Sequence, residues 1–248
     1  MIYKDSKNNT IRNISDWENL LFKQTNKEKH WKKGRSAYEI ANFLLNMNGE
    51  TIILDLLEKI TGEKISFDYA IPEMEIRFDK YGHGREHDVG IFGTTESKKR
   101  VFIGIESKVD ETFNEKISES YLKAKSKELN HIPTNSAKRI EELLVRNFNT
   151  VEPKLFDLRY QLLYSTIGTL EAKSNDQYLD IYFLFVIVFK TELYDELKGI
   201  ENYKNYIQFV NALDSVRVHT DKNIDIHKIN IDGRILNMVH LNIDTINV

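Results

Sequence analysis

The sequence predicts an α/β fold with a mixed central β-sheet flanked by helices, and three observations carry that prediction. "YLDIYFLFVIVFK" (178–190) is an unbroken apolar run of strand character, the pattern of a strand covered on both faces. Helical periodicity directly precedes it, so the chain reaches this strand through a crossover, which implies a parallel neighbour. Earlier, "EHDVGIF" (86–92) and "VFIGIESK" (101–108) alternate as strands do, and "GTTESKKR" between them can close an antiparallel hairpin.

The remaining elements follow in chain order. Residues 1–35 read as polar and irregular, a basic N-terminal arm, except for a short helix at "SDWENLLF" with Ser15 or Asp16 as cap. Its basic run "KEKHWKKGR" is either a solvated loop anchored by Trp31 or an arm that contacts phosphates. "SAYEIANFLLNM" is an amphipathic helix with Ala37, Ile40, Ala41 and Leu44 on one face, where Ser36 and Glu39 have capping-box spacing. "TIILDLLEKITG" is a second helix ending at Gly62, and "KISFDYAIPEMEIRF" supplies one or two strands around Pro72. After the hairpin come three lysine-rich helical segments, within 114–129, 136–148 and 154–173; the lysines of the first (Lys123, Lys125, Lys127) read as solvated or as phosphate contacts. The buried strand follows, then a helix within 192–213 and a hairpin turning at Asp232 and Gly233. The expected organisation is one domain over 1–248, with a core at about 36–190 and a C-terminal helix and hairpin at 191–248.

Composition excludes several function classes. With 248 residues, 41% of them apolar, the chain can bury a substantial core, and a disordered chain is ruled out. No cysteine is present, which removes disulfides and thiolate zinc sites and points to a reducing, cytoplasmic setting. "MIYKDSKNNT" lacks the apolar centre of a signal peptide, and the run 181–189 is half a membrane span, so no membrane partner is expected. A net charge of −3 argues against blanket nucleic-acid binding and leaves local basic segments as a binding face. Neither G-x-x-x-x-G-K-[ST] nor G-x-S-x-G occurs, which removes phosphate-loop NTPases and serine hydrolases of that type.

The chemistry concentrates in the 86–108 hairpin. Alternation puts Val101, Ile103 and Ile105 on one face and Phe102, Gly104, Glu106 and Lys108 on the other. One antiparallel register sets Phe92 opposite Phe102, Gly90 opposite Gly104, Asp88 opposite Glu106 and Glu86 opposite Lys108, and on the core face pairs Ile91 with Ile103 and Val89 with Ile105. Two carboxylates with β-carbons about 5 Å apart repel by about 3 kcal/mol at an effective dielectric of about 20. Either a shared proton or a bound cation must offset this. A donor set of oxygens favours a hard ion, Mg²⁺ first. The competing reading is an edge hairpin on which Glu106 and Lys108 form an ordinary surface ion pair. A histidine site at His83 and His87 is disfavoured, because Gly82 and Gly84 mark a loop there.

Asp88, a hairpin loop, then Glu106-Ser107-Lys108 resembles the D…(D/E)-x-K signature of the PD-(D/E)XK, or restriction-endonuclease-like, nucleases; the motif covers 88–108, with His87 where the family name has proline. The resemblance implies a core of a helix, a three-stranded meander, a crossover helix and a further buried strand. It implies Asp88, Glu106 and the Ser107 carbonyl as ligands of Mg²⁺ (or Mn²⁺), Glu39 on the first core helix as a further ligand, and Lys108 as the catalytic lysine. Gln161 and Tyr164 resemble the Q-x-x-x-Y motif of some of these nucleases with a spacing one residue short. The implied activity is an endonuclease on DNA in restriction, phage defence or repair. A homodimer could form through the hairpin after Asp225 or the helix around Tyr203. The alternative is a non-catalytic nucleic-acid-binding or protein-interaction module on the same fold.

Overall fold

The structure, a computed structural model, describes residues 1–22 and 31–246. A nine-stranded mixed sheet runs through it, in the order β2-β1-β3-β4-β5-β8-β11-β10-β9. The strands are β1 (Ile2–Lys4), β2 (Thr10–Ile11), β3 (Ile65–Ile76), β4 (Arg85–Thr95), β5 (Arg100–Lys108), β8 (Ile181–Lys190), β9 (Val216–Thr220), β10 (Ile224–Ile231) and β11 (Arg234–Asp244). A separate two-stranded ribbon is formed by β6 (Lys173–Ser174) and β7 (Gln177–Tyr178).

The expected crossover strand is β8, which lies parallel to β5 on one side and to β11 on the other. Its side chains alternate between two cores. Tyr182, Leu184, Val186 and Val188 join the core formed with α4 (Ile117–Leu129), α5 (Ser136–Phe148), α6 (Tyr160–Leu170) and α7 (Glu196–Ala212). Phe183, Phe185, Ile187 and Phe189 join the core formed with α1 (Ile14–Phe22), α2 (Ser36–Asn46) and α3 (Gly49–Thr61). Each such buried aromatic or aliphatic side chain contributes about 1.5–3 kcal/mol. The fold class is therefore a mixed sheet with helices on both faces.

Local signals set several boundaries. α3 stops at Gly62, whose φ of +71° places it in the left-handed region while its N–H reaches Glu58 O. The β10–β11 turn uses Asp232 (φ +50°) and Gly233 (φ +77°), which matches the twist of the flanking strands. Pro72 sits within the single long strand β3, beyond the reach of β1, which pairs only with Tyr69 and Ala70; its missing N–H interrupts no ladder on that side.

Three expectations need correction. The expected short helix forms as α1, but the rest of the arm is not wholly irregular: it carries β1 and β2, and Tyr3 and Ile11 are buried in the core with Trp17 and Leu21; residues 27–30 of the basic run lie outside the described residues. A Ser15 or Asp16 cap for α1 is not what forms: Asn13 Oδ1 accepts the Asp16 N–H at 2.9 Å. The capping box on α2 is also absent, because Arg35 is the N-cap residue and Glu39 Oε1 accepts from the Gly34 N–H at 2.9 Å instead. The glycine before the helix offers its N–H where the sequence pattern had placed the Ser36 N–H.

Candidate active site

β4 and β5 pair antiparallel in the expected register from Thr94–Arg100 down to Val89–Ile105, with Gly90 opposite Gly104 and Phe92 opposite Phe102. The ladder ends there, so the Asp88–Glu106 and Glu86–Lys108 pairs do not form. The cause lies in β4. Val89 belongs to the core under α1–α3, yet the His87 ring lies beside Phe102 and over Gly104, on the α6 side. Two residues of one strand that should share a face have parted, and the change occurs at Asp88. Beside it on β3, Glu73 adopts φ +51° between the pairs Pro72–Val89 and Met74–His87. The local irregularity turns Asp88 away from its counterpart, whereas His87 is turned toward Glu106.

Glu106 is 1% exposed and fully engaged. Arg85 forms an ion pair with its Oε2, His87 Nδ1 lies 2.8 Å from its Oε1, Gln161 Nε2 donates to Oε2 at 2.9 Å and Ser165 Oγ donates to Oε1 at 3.3 Å. Burial opposes the charge on Glu106, but Arg85, the His87 bond and Lys108 outweigh it and hold its pKa down to about 2. Burial lowers the pKa of His87 despite Glu106, so the ring is neutral at pH 7; the carboxylate acceptor then fixes its proton on Nδ1. The surface ion-pair reading of the hairpin fails here. Glu106 is buried, and its ion-pair partner is Arg85 rather than Lys108.

Asp88 has the opposite balance. Its Oδ2 accepts from the Ser107 N–H and the Ser107 hydroxyl, each at 2.6 Å, where the strands separate. Burial and the Glu106 charge raise its pKa, and Lys108 and the Ser107 bonds only partly compensate. Thus the two acids do sense one another, through space rather than as a cross-strand pair. Lys108 is 6% exposed, lies over the Phe113 ring at 5.6 Å and acts electrostatically on Asp88, Glu106 and Glu111. Glu111 accepts from the Val109 and Asp110 N–H groups, and burial of its carboxyl is outweighed by Lys108 and Ser36, which keep its pKa low.

The other expected participants divide. Gln161 is buried, with its Nε2 on Glu106. Tyr164 is not in the same group: its hydroxyl donates to His83 O and its ring stacks on Tyr160. The residue one helical turn beyond Gln161 is Ser165, the i+4 neighbour, which does reach Glu106. Glu39 is buried, and no hydrogen bond or ion pair among the described residues joins it to Asp88, Glu106 or Lys108. His83 is exposed in its loop and His87 is buried, so they form no common site. Lys123 and Lys125 are exposed and paired with Glu115 and Glu128.

Sequence reasoning missed Arg85 and Ser165 altogether and gave His87 no role. The signal available for Arg85 and His87 was their spacing of two on a strand entering the site. The tightness of α6 on β4 was also hidden. A Cβ built on Gly168 would lie 2.6 Å from Arg85 Cβ, and one on Gly104 would lie 2.9–3.0 Å from three atoms of the His87 ring. Gly168→Ala is therefore expected to force α6 off β4 and destabilise the fold by about 1–3 kcal/mol, read as a lower urea midpoint with an unchanged slope.

Oxygen donors dominate the site, as a hard cation requires. Asp88 Oδ1 makes no hydrogen bond among the described residues, and Gln161 Oε1 is buried with no partner, so two acceptors remain for an ion or its waters. The residues fit such an ion in chemistry, with Arg85 as the cationic competitor for Glu106 and His87, Gln161 and Ser165 also on its oxygens. No group of three or more His, Asp or Glu side chains among the described residues is arranged to hold a metal. The ligands that the resemblance implies would be Asp88, Glu106 and the Ser107 carbonyl.

Over residues 10–244 the chain matches the model of a family described as a domain of unknown function (DUF6946), and it belongs to that family. Neither the curated proteins nor the solved structures contain a match to it. Among the described residues, no helix is long and apolar enough to cross a membrane.

Proposed function

We propose that this protein is a divalent-metal-dependent nuclease that hydrolyses DNA phosphodiester bonds, with Asp88, Glu106 and the Ser107 carbonyl holding Mg²⁺ or Mn²⁺ and Lys108 serving as the catalytic lysine. One observation carries the reading: an aspartate, a glutamate and a buried lysine meet where a hairpin opens, and the crossover helix places Gln161 on the glutamate. The order of elements supports it. Helix α2, the β3-β4-β5 meander, the crossover through α6 and the parallel strand β8 next to β5 follow the core that the PD-(D/E)XK resemblance implies.

A bound divalent ion supplies positive charge to a phosphate and acidifies water. The protein's own groups do the rest. His87, Gln161 and Ser165 fix the orientation of Glu106, while Arg85 balances its charge until an ion takes that place. Asp88, with one oxygen fixed by Ser107, presents the other. Lys108 stabilises charge developing on the phosphate and orients the attacking water.

A second reading rests on a specific observation: Arg85 already balances the charge of Glu106, as it would in a binding or interaction module that never takes up metal. Plasmid incubated with Mg²⁺ separates the two. The nuclease reading expects cleavage that EDTA abolishes and that Asp88→Asn and Lys108→Ala each lower by about a hundredfold or more. Equal cleavage by wild type and variants would remove the site, and DNA binding without cleavage by all three would favour the module.

A further inference from the structure

A cleft of about 490 Å³ lies outside the residues assigned above, at the carboxyl ends of β8 and β11 and against α7. In open sheets with parallel strands, this end is where ligands bind. We infer that this cleft is a binding site for a nucleoside monophosphate, with lysines for the phosphate and tyrosines against the base.

Lys190, the last residue of β8, together with Lys204 and Lys222, lines the cleft, and none of the three makes an ion pair among the described residues. The two acidic groups of the lining each have a basic partner. Asp225 is buried, paired with Arg217 and bonded by the Tyr203 hydroxyl at 2.9 Å, with its Oδ1 left without a hydrogen-bond partner. Asp221 accepts the N–H groups of Asn223 and Ile224 within its own turn and pairs with His219. The uncommitted charge of the cleft is therefore positive, and lysine ammonium groups suit a phosphate as point charges.

The walls give the ring its place. Tyr194 and Tyr203 flank the cleft with Ile200 and Ile224, an apolar and aromatic surface of the kind on which bases stack. Gly199 permits this wall, since a Cβ there would fall 1.8 Å from the Tyr194 hydroxyl. His240 contributes to the floor. It is 3% exposed, its ring stands edge-on to Tyr203 at 5.2 Å, and its Nε2 has no partner in the protein. Burial first, then Lys190, holds its pKa down to about 4 against Asp225, so it meets a ligand as a neutral imidazole. A volume of this size accommodates a mononucleotide.

Calorimetric titration of the full chain with AMP, GMP, CMP and UMP tests the inference, with inorganic phosphate and a 5′-phosphorylated oligonucleotide as separate arms. At least one monophosphate is expected to bind saturably below about 1 mM. Lys190→Gln combined with Lys222→Gln should weaken it about tenfold or more, Tyr203→Ala should weaken it while Tyr203→Phe retains it, and Asp88→Asn should leave it unchanged. Binding that survives the lysine changes, or that is lost with Asp88→Asn, would overturn the assignment, as would the absence of binding in every arm. Equal affinity for inorganic phosphate would overturn the role given to the tyrosines. Binding of the oligonucleotide alone, lost on the lysine changes, would overturn the free nucleotide as ligand and assign the cleft to a strand terminus.

Discussion

Arg85→Met is expected to destabilise the protein by about 3–5 kcal/mol, because it leaves the Glu106 carboxylate buried without its ion-pair partner. Glu106 cannot turn to water, and His87 and Gln161 supply hydrogen bonds but no charge. The measurement is the urea midpoint at pH 7, with an unchanged slope as the check that unfolding remains two-state. Arg85→Met combined with Glu106→Gln should recover much of the loss, since the amide carries no charge to strand. The proposed function adds a further expectation. Removing Arg85 also removes the competitor for Glu106, so millimolar Mg²⁺ should restore stability to Arg85→Met more than to wild type, through preferential binding to the folded state. A loss below about 1 kcal/mol would mean that Glu106 is not held as described.

Acid should weaken the wild type steeply in a window set by Glu106. Its folded pKa of about 2 lies below the ordinary value of 4.5. A depressed carboxyl contributes stability that is fully present above pH 4.5 and is lost as the pH falls through about 2. The size is on the order of 3 kcal/mol. Two neighbours act differently in sign or window. The pKa of Asp88 is raised, so protonating it in the folded state relieves a cost as the pH falls. His87 has a lowered pKa, so it costs stability as the unfolded chain takes up a proton below pH 6.5. Comparing wild type with Glu106→Gln isolates the glutamate: wild type should show the steeper fall between pH 4.5 and 2. Parallel curves would show that Arg85 and His87 do not hold the carboxyl down.

Much of this arrangement was legible before the fold was known. The register of β4 against β5 follows from matching Phe92 with Phe102 and Gly90 with Gly104, because a slip of one residue would exchange the core and cleft faces. Continuous apolarity identified β8, and Asp232-Gly233 identified a hairpin turn. The end of the ladder was not legible. Whether Asp88 continues the pairing depends on the twist of β4 against both neighbours and on α6, whose approach at Gly168 leaves room only for Arg85 and His87. Such contacts join residues about 80 positions apart and leave no local periodicity. The Q-x-x-x-Y resemblance drew attention to Tyr164, whereas the 3.6-residue helical repeat would have named Ser165 as the residue sharing a face with Gln161. Arg85 escaped notice because an arginine at the start of a strand ordinarily faces solvent, and only the tertiary fold shows it paired inside.

The ion itself gives the most direct test. Anomalous diffraction from crystals grown with Mn²⁺ should show a peak in contact with Asp88 Oδ1 and a Glu106 oxygen, with the Arg85 guanidinium rotated away from Oε2. Arg85 still seated on Glu106 at saturating Mn²⁺, with no peak beside Asp88, would contradict the account.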